Sequence, residues 1–237
     1  MRTPWVVTER ALDGLVAECF AAEARALLDI RHDAIVRAHA FLRHGDGRNF
    51  LLLDLVRGPT LAQRIAEAPL NADELQGLAA RLAGALACLH GAGFVHGDLS
   101  ADNVVVAGAV AGAVLLDLGL LHAGTLGAGE IAFSGHWSIA APEQLAGAPP
   151  TAAADLYALG LLLLSAAAGT PLALGTDRDS ALAARATPFD LEPVTKALRP
   201  LVAALLDPDP AARPAAAACV ERIEHPGLLQ RLVGASI

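Results

Sequence analysis

Lysine is almost absent from this sequence of 237 residues: of its 17 lysine and arginine residues, Lys196 is the one lysine. Acidic residues number 25, so the net charge is −8, and the chain lacks the positive surface that binds nucleic acids and anionic membranes. Aromatic residues make up only 4%, but hydrophobic residues make up 54%, which excludes a disordered chain. We therefore expect a folded protein with no nucleic-acid or membrane partner.

Cysteine is scarce as well. Cys19, Cys88 and Cys219 are odd in number and widely spaced, with no CxxC pair, so neither a disulfide framework nor a zinc site is expected. The first residues, MRTPWVVTER, are too polar for a signal peptide. The apolar run at 156–169 is shorter than the ~20 residues that cross a bilayer. These absences predict a cytoplasmic protein and a buried core helix at 156–169.

The apolar residues that are present predict an α+β protein. Strand signals come first, with WVVT at 5–8 and two apolar runs on either side of HGDG, a turn sequence. A further apolar run at 104–116, interrupted by AGAVAG, predicts a hairpin. Apolar residues at helical spacing predict helices over about 12–30, from Asn71 or Asp73 to Gly91 or Gly93, and over 152–168, 179–186, 193–206 and 214–223. The pattern is a small strand-bearing part followed by a larger helical part.

The stretch FVHGDLSADNVVV, residues 94–106, carries side chains suited to catalysis. Asp98 and Asn103 are five residues apart in a loop, and Asp117 follows the second strand of the predicted hairpin, which returns it beside Asn103. Carboxylate and amide oxygens suit Mg²⁺, and a further carboxylate that is free of the metal can accept a proton. This set suits phosphoryl transfer. Taken alone, the same residue types are also common in turns and helix caps.

The surroundings of this stretch resemble the protein kinase superfamily, in particular serine/threonine protein kinases. HGDLSADN and DLG at 117–119 resemble the catalytic loop HRDLxxxN and the metal-binding motif DFG. Further motifs follow in the family's order: FAAEARALLDIRHDAIV resembles helix C, LLLDLVRGPTL the hinge, IAAPEQL the APE motif, DLYALG the start of the central helix, and LLDPDPAARPAA the late arginine motif.

The resemblance implies a bilobal protein-kinase-like fold of the α+β class. Residues 1–56 would form a partial N-lobe, incomplete because it has no glycine-rich loop, and residues 57–237 would form the C-lobe. It also implies a phosphotransferase that moves the γ-phosphate of ATP to a protein hydroxyl with Mg²⁺. The implied partner is a protein substrate or a regulatory protein.

Roles carry over from the family motifs to matching residues here. Asp98 matches the catalytic base, and Asn103 and Asp117 match the ligands of Mg²⁺. Glu143 and Arg213 would form a buried ion pair that holds the activation segment.

Another group of matches concerns the nucleotide and the scaffold. Leu53 falls at the gatekeeper position, the backbone of Asp54 and Val56 would meet adenine, and Val105 would pack under the adenine ring. The structural matches are as follows: Glu23 is the helix-C glutamate, His96 joins an apolar column with Leu27 and Leu118, and Asp155 would brace the catalytic loop through backbone N–H groups.

The departures from the family pattern concern the phosphates. The chain begins too late for a glycine-rich loop, and WVVT matches the V-A-I-K strand with Thr8 at the lysine position, while Lys196 lies far along the chain. Gly97 replaces the HRD arginine, on which a phosphorylated activation loop usually orders itself, and Ser100 replaces a lysine common in serine/threonine kinases. A pseudokinase that binds a partner is therefore the alternative. A small-molecule kinase shares the HGD, Asn and Asp core, but the later motifs favour a protein kinase.

Overall fold

The structure of the protein is a computed structural model that describes residues 5–10, 24–117, 122–123, 137–172 and 174–225. The strands are β1 (Trp5–Arg10), β2 (Ala38–Arg43), β3 (Asn49–Asp54), β4 (Phe94–Val95), β5 (Val104–Val106), β6 (Ala113–Leu115) and β7 (His122–Ala123). The helices are α1 (Leu61–Glu67), α2 (Ala72–Gly91), α3 (Pro142–Leu145), α4 (Ala152–Ala168), α5 (Arg178–Ala184), α6 (Arg199–Leu205) and α7 (Ala216–Glu224). Residues 24–27 are also helical.

The first part of the chain forms an antiparallel sheet with strand order β1-β3-β2. The register pairs Trp5 with Asp54 and Arg43 with Asn49. Between β2 and β3, the predicted HGDG turn is closed by Asp46, whose carboxylate accepts a hydrogen bond from the Arg48 backbone N–H at 3.2 Å. The strands predicted at 5–8 and on both sides of this turn are confirmed.

The first two labelled helices begin where side chains satisfy their free backbone N–H groups. At α1, the Thr60 hydroxyl accepts from the Gln63 N–H at 3.2 Å, and the Gln63 amide oxygen accepts from the Thr60 N–H at 2.9 Å. Asn71 and Glu74 form the same reciprocal pair at the start of α2. The predicted start of the long helix at Asn71 and its end at Gly91 are therefore confirmed.

Helix α4 is the central helix of the larger, helical part. Its residues from Ala154 to Leu164 are buried all around the helix, which confirms the buried core helix that the run at 156–169 predicts. It packs against α2 and α6. Gly160 permits the contact with α6, since a Cβ added there would come within 2.9 Å of the Leu206 side chain. No helix in the described residues is both long and apolar enough to cross a membrane.

Two helix predictions differ from the structure. The helix predicted over 193–206 begins only at Arg199, because Pro200 occupies its first turn and the residues before it form turns at 192–193 and 196–198. Of the helix predicted over about 12–30, residues 24–27 are helical and residues 28–29 form a turn, while residues 11–23 lie outside the described part. The predicted hairpin is confirmed, because β5 pairs antiparallel with β6.

The strand-bearing part and the helical part are joined next to this hairpin. Leu115 in β6 donates its N–H to the Ala34 carbonyl at 2.8 Å and accepts from the Val36 N–H at 2.9 Å. Arg81 of α2 donates to the carbonyls of Ala113 at 2.6 Å and Asp33 at 2.7 Å. This α+β architecture, with a small strand-bearing lobe and a larger helical lobe, agrees with the predicted fold class. The β5–β6 hairpin therefore lies where the two lobes meet.

Candidate functional site

The loop between β4 and β5 carries Asp98 and Asn103 side by side. The Asn103 side-chain amide nitrogen donates to the backbone carbonyl of Asp98 at 2.9 Å and to its carboxylate Oδ2 at 3.1 Å. Asp98 is 5% exposed, so these bonds are made in a largely water-excluded setting. Because the amide nitrogen faces Asp98, the Asn103 oxygen Oδ1 is turned away from it. The spacing of five residues thus brings a carboxylate and an amide oxygen to one place.

The β5–β6 hairpin brings Asp117 back to the same loop. Leu116, the residue before Asp117, donates its backbone N–H to the Asn103 carbonyl at 2.7 Å. Asp117 has a φ of +49°, and it is the one non-glycine residue with positive φ in the described part of the chain. This left-handed conformation costs on the order of 1–3 kcal/mol for most residues other than glycine, although aspartate tolerates it better than most. Such strain is typical of functional positions.

His96 fixes the start of the loop. Its side chain is fully buried, with Nδ1 accepting from the Asp98 backbone N–H at 3.3 Å and Nε2 lying 3.0 Å from the Leu116 carbonyl. Because Nδ1 accepts, Nε2 carries the proton that is donated to Leu116. His96 thereby connects Leu116, which precedes Asp117, to Asp98. Leu27, expected in the same apolar column, is 3% exposed.

Asp155, near the start of α4, holds the other side of the loop. It is 2% exposed, and its carboxylate accepts from the backbone N–H groups of His96 and Gly97, each at 2.8 Å. The His90 Nε2 atom, at the end of α2, lies 2.9 Å from the same carboxylate. Gly97, which stands where the family motif HRD has arginine, has a φ of +76°. This backbone conformation favours glycine over other residues.

Glu143 and Arg213 form a two-pronged ion pair. The Arg213 nitrogens Nη1 and Nη2 donate to the two Glu143 carboxylate oxygens at 2.7 and 2.8 Å, and the Arg213 side chain is fully buried. Arg213 also donates to the carbonyls of Asp207 at 2.8 Å and Ala153 at 2.9 Å. Its guanidinium lies 4.8 Å from the ring centre of Tyr157. Helix α3 is thus fixed to α4 and to the residues before α7.

The predicted hinge follows β3. Leu53 is buried, and Asp54 donates its backbone N–H to the Arg37 carbonyl at 2.9 Å. The Asp54 carboxylate lies 2.6 Å from Nε2 of His39. Val56 is half-buried against the main apolar core. The Leu53, Asp54 and Val56 side chains and the Asp54 N–H are therefore in contact with the rest of the protein, while Leu55 is exposed.

After the hinge, the chain passes close to β5. Val105 is buried and forms an isolated antiparallel bridge with Thr60. Gly58 makes the approach possible, since a Cβ added there would lie 2.1 Å from the Val106 carbonyl oxygen. The hinge, Val105 and the Asp98 loop are consequently parts of one connected framework.

Comparison with known proteins identifies the family. The protein kinase domain family matches residues 7–224. This chain belongs to the protein kinase family. It is 34% identical to serine/threonine-protein kinase PkaA of Streptomyces coelicolor over 168 residues, covering 69% of this chain and 31% of that protein. It is 32% identical to serine/threonine-protein kinase PkaB of the same organism, covering 70% of this chain and 42% of that protein.

A relative from another organism gives the same family. Serine/threonine-protein kinase pkn2 of Myxococcus xanthus is 32% identical over 154 residues, covering 62% of this chain and 18% of that protein. The chain spans less than half the length of these curated relatives. The family assignment therefore applies to the kinase-like domain described here.

In this kinase-like domain, β1 stands beside the strand that leads into the hinge. The register pairs Val6 with Leu53 and Thr8 with Leu51. β1 contains no lysine, and Lys196 is exposed in the turn before α6. Glu23 and Leu118, which the family pattern matches to helix C and to the DFG motif, lie outside the described residues.

Residues that the sequence reasoning missed also support the site. His90 meets Asp155 across 65 positions of sequence, and His39 meets Asp54. Arg185, just after α5, binds the Trp137 and Ser138 carbonyls. A histidine in the last turn of a helix was a weak signal for His90, because cationic side chains favour that end. Nothing in the local sequence marks the partners of Arg185.

Proposed function

We propose that this domain is a serine/threonine protein kinase that uses ATP and Mg²⁺. The observation that carries the proposal is the joining of Asp98, Asn103 and Leu116, the residue before Asp117, by hydrogen bonds at the junction of the two lobes. The matched base position and both matched metal-ligand positions are occupied by suitable residues, and Asp117 has a left-handed backbone conformation of the kind that is typical of functional positions.

Asp98 is the proposed acceptor of the proton from a serine or threonine hydroxyl. As that oxygen bonds to the γ-phosphorus of ATP and the bond to the β-phosphate oxygen breaks, Asp98 takes the proton that the hydroxyl loses. The Asn103 amide holds the Asp98 carboxylate in place through its 3.1 Å bond. Positioning of this kind is the main contribution a kinase makes to phosphoryl transfer.

Asn103 and Asp117 are the proposed Mg²⁺ ligands. An amide oxygen and a carboxylate fit this ion, which prefers oxygen ligands and shares its shell with phosphates. When bound with ATP, Mg²⁺ neutralises phosphate charge. The Asn103 Oδ1 atom is the available ligand atom of its amide, because the nitrogen is bonded to Asp98.

Adenine is proposed to lie between the hinge and Val105. Leu53 would limit the depth of the pocket, and Val105 would supply an apolar floor. Because the Asp54 N–H is already bonded to Arg37, adenine recognition would use the Asp54 carbonyl and the Val56 backbone.

The second candidate is a pseudokinase that regulates a protein partner. It is favoured by Thr8, which occupies the register position beside the hinge strand where the family pattern has the phosphate-binding lysine. The two candidates differ in whether phosphate is transferred, and they are separable by one set of measurements.

The test is thermal unfolding with a non-hydrolysable ATP analogue, with and without Mg²⁺, for wild type and Asp117→Asn. A ligand at about 100 times its Kd stabilises the folded state by roughly 2.7 kcal/mol, which raises the midpoint by about 5–10 °C in a domain of this size. We expect this rise in wild type with Mg²⁺ and not in Asp117→Asn. Asp102→Asn, an exposed change in the same loop, is the matched control and retains the rise.

Transfer is then measured with radiolabelled ATP and dephosphorylated casein. The kinase proposal predicts label on casein and a loss of at least a hundredfold in Asp98→Asn, because a positioned base contributes 10²–10⁴-fold. Binding of the analogue without transfer would support the pseudokinase. An equal thermal shift in wild type and Asp117→Asn would contradict the metal assignment.

A further inference from the structure

The segment 137–145 forms part of the surface beside Asp98. Ile139 and Ala140 line a small cavity together with Gly97 and Leu99, which flank Asp98. Ser138 and Ile139 also line a groove of about 170 Å³ that Leu99 and Ser100 border from the other side. A protein hydroxyl that reaches Asp98 must be carried by a chain lying across this surface. The position of segment 137–145 therefore determines how that chain is held.

Arg185 binds the first end of the segment. Its Nη2 atom donates to the carbonyls of Trp137 at 3.3 Å and Ser138 at 3.1 Å. Its Nη1 atom donates to the carbonyls of Ala181 at 2.9 Å and Leu174 at 3.3 Å, which ties the same guanidinium to α5 and to the loop before it. One planar group with fixed donor directions thus joins two parts of the chain.

Arg178 binds the other end of the segment from the opposite end of α5. Its Nε atom donates to the Leu145 carbonyl at 2.6 Å. The start of α5 is itself held by Asp177, whose carboxylate accepts from the Asp179 and Ser180 backbone N–H groups, each at 3.0 Å. The two arginines therefore lie at opposite ends of the capped helix α5, and each binds one end of segment 137–145. We call Arg178 and Arg185 the α5 clamp.

Tyr157 links this clamp to the buried ion pair of Glu143. The Arg185 guanidinium lies 5.9 Å from the Tyr157 ring centre, while the Arg213 guanidinium lies 4.8 Å from the centre of the same ring. Burial raises the pKa of the Tyr157 phenol and lowers the pKa of Arg185, so both groups lie in a setting with little water. Segment 137–145 is consequently attached at Trp137, Ser138, Glu143 and Leu145.

We propose that the α5 clamp positions segment 137–145 for a protein substrate without phosphorylation of the chain; this inference rests on the proposed kinase function. Gly97 occupies the place of the arginine on which phosphorylated activation loops of the family order themselves. The clamp acts on the segment from α5 instead. Arg178 and Arg185 are positioning residues, because their contacts are with the protein's own carbonyl groups.

The kinetic test compares Arg185→Met and Arg178→Met with wild type, using casein and Mg²⁺-ATP. We expect kcat/KM for casein to fall at least tenfold in Arg185→Met, while KM for ATP stays within twofold. Arg185→Lys keeps the charge but not the planar fork, and is expected to recover part of the loss. Arg199→Met is the matched control, because Arg199 likewise donates to two carbonyls, those of Val194 and Glu192, away from the segment.

Hydrogen exchange of the unphosphorylated protein tests the same clamp without catalysis. Amides in 137–145 are expected to exchange at least tenfold faster in Arg185→Met than in wild type or Arg199→Met, with α4 unchanged. Equal exchange, or a KM for ATP that rises by as much as kcat/KM for casein falls, would overturn the inference. A wild-type protein that phosphorylates nothing would contradict the proposed function and the positioning role, while exchange still decides whether the clamp holds the segment.

Discussion

Asp155 shows how much a single residue contributes to this site. Its carboxylate is almost fully removed from water, and it accepts hydrogen bonds from the His96 and Gly97 backbones and contacts His90. Burying a carboxylate is costly unless such donors replace the lost water. The same donors would be left without a partner if the carboxylate were removed. The shape of the Asp98 loop therefore depends on one acceptor in α4.

Replacing Asp155 with alanine should lower the free energy of unfolding by about 3–5 kcal/mol, because it breaks a buried charged network. Urea unfolding followed by circular dichroism measures the change. Asp102→Ala, at an exposed position of the loop, should change the same quantity by no more than about 0.5 kcal/mol. Equal effects of the two substitutions would show that the Asp155 hydrogen bonds add little to stability.

The sequence predicts residues whose partners are close along the chain better than residues whose partners are distant. Asp98 and Asn103 lie in one loop, so their spacing together with the surrounding motifs predicted a shared site. Family motifs pointed to Glu143 and Arg213, which are 70 positions apart and bonded in the structure. His90 and Arg185 belong to no such motif, and their contacts arise only from the packing of helices against loops.

At the scale of elements, the turn after the hinge is held against β5 by a glycine. Gly58 has a φ of +152° and faces the Val106 carbonyl so closely that no Cβ fits. The Pro59 carbonyl accepts from the Val106 N–H at 2.9 Å, which locks this approach. The distance between the hinge and Val105, and with it the width of the proposed adenine site, follows from this contact.

Gly58→Ala should destabilise the protein by about 2–4 kcal/mol, since it adds a clash with Val106 to the strain of a positive φ. Gly47→Ala is the matched control: Gly47 has a φ of +89° and no atom within 4 Å of an added Cβ, so it carries the strain alone. Urea unfolding of both variants separates the two contributions. If Gly58→Ala lowers the free energy of unfolding by no more than Gly47→Ala does, the loop around Gly58 moves away from Val106 without loss of stability.

Pattern and capping signals predicted most elements, and they failed where proline or long-range packing decided the outcome. The predicted start at Asn71 follows from local hydrogen bonds between the cap and the third helical residue. The start of α6 did not follow from apolar spacing, because Pro193 and Pro200 shift it to Arg199. The sheet order β1-β3-β2 depends on contacts between distant segments, which a local pattern does not specify.

At the scale of the whole molecule, the core is built from helices packed on α2 and α4, and the last of these helices along the chain is α7. Cys219 of α7 is fully buried, and α7 packs against α2. Burial raises the pKa of the Cys219 thiol to about 11. Its ionisation therefore reports on the folded core as a unit and not on the site alone.

This thiol should make the folded state less stable in alkaline solution. In the unfolded chain it ionises near its ordinary value of 9.0, whereas in the folded protein it stays protonated to about 11. The stability that the protonated thiol contributes is therefore fully present below about pH 9 and is lost as the pH rises to about 11. The free energy of unfolding falls by roughly 2–3 kcal/mol over this range. We expect the free energy of unfolding of wild type to fall more steeply over this range than that of Cys219→Ala. Urea unfolding at several pH values measures both, and parallel curves would show that Cys219 ionises alike in the folded and unfolded states.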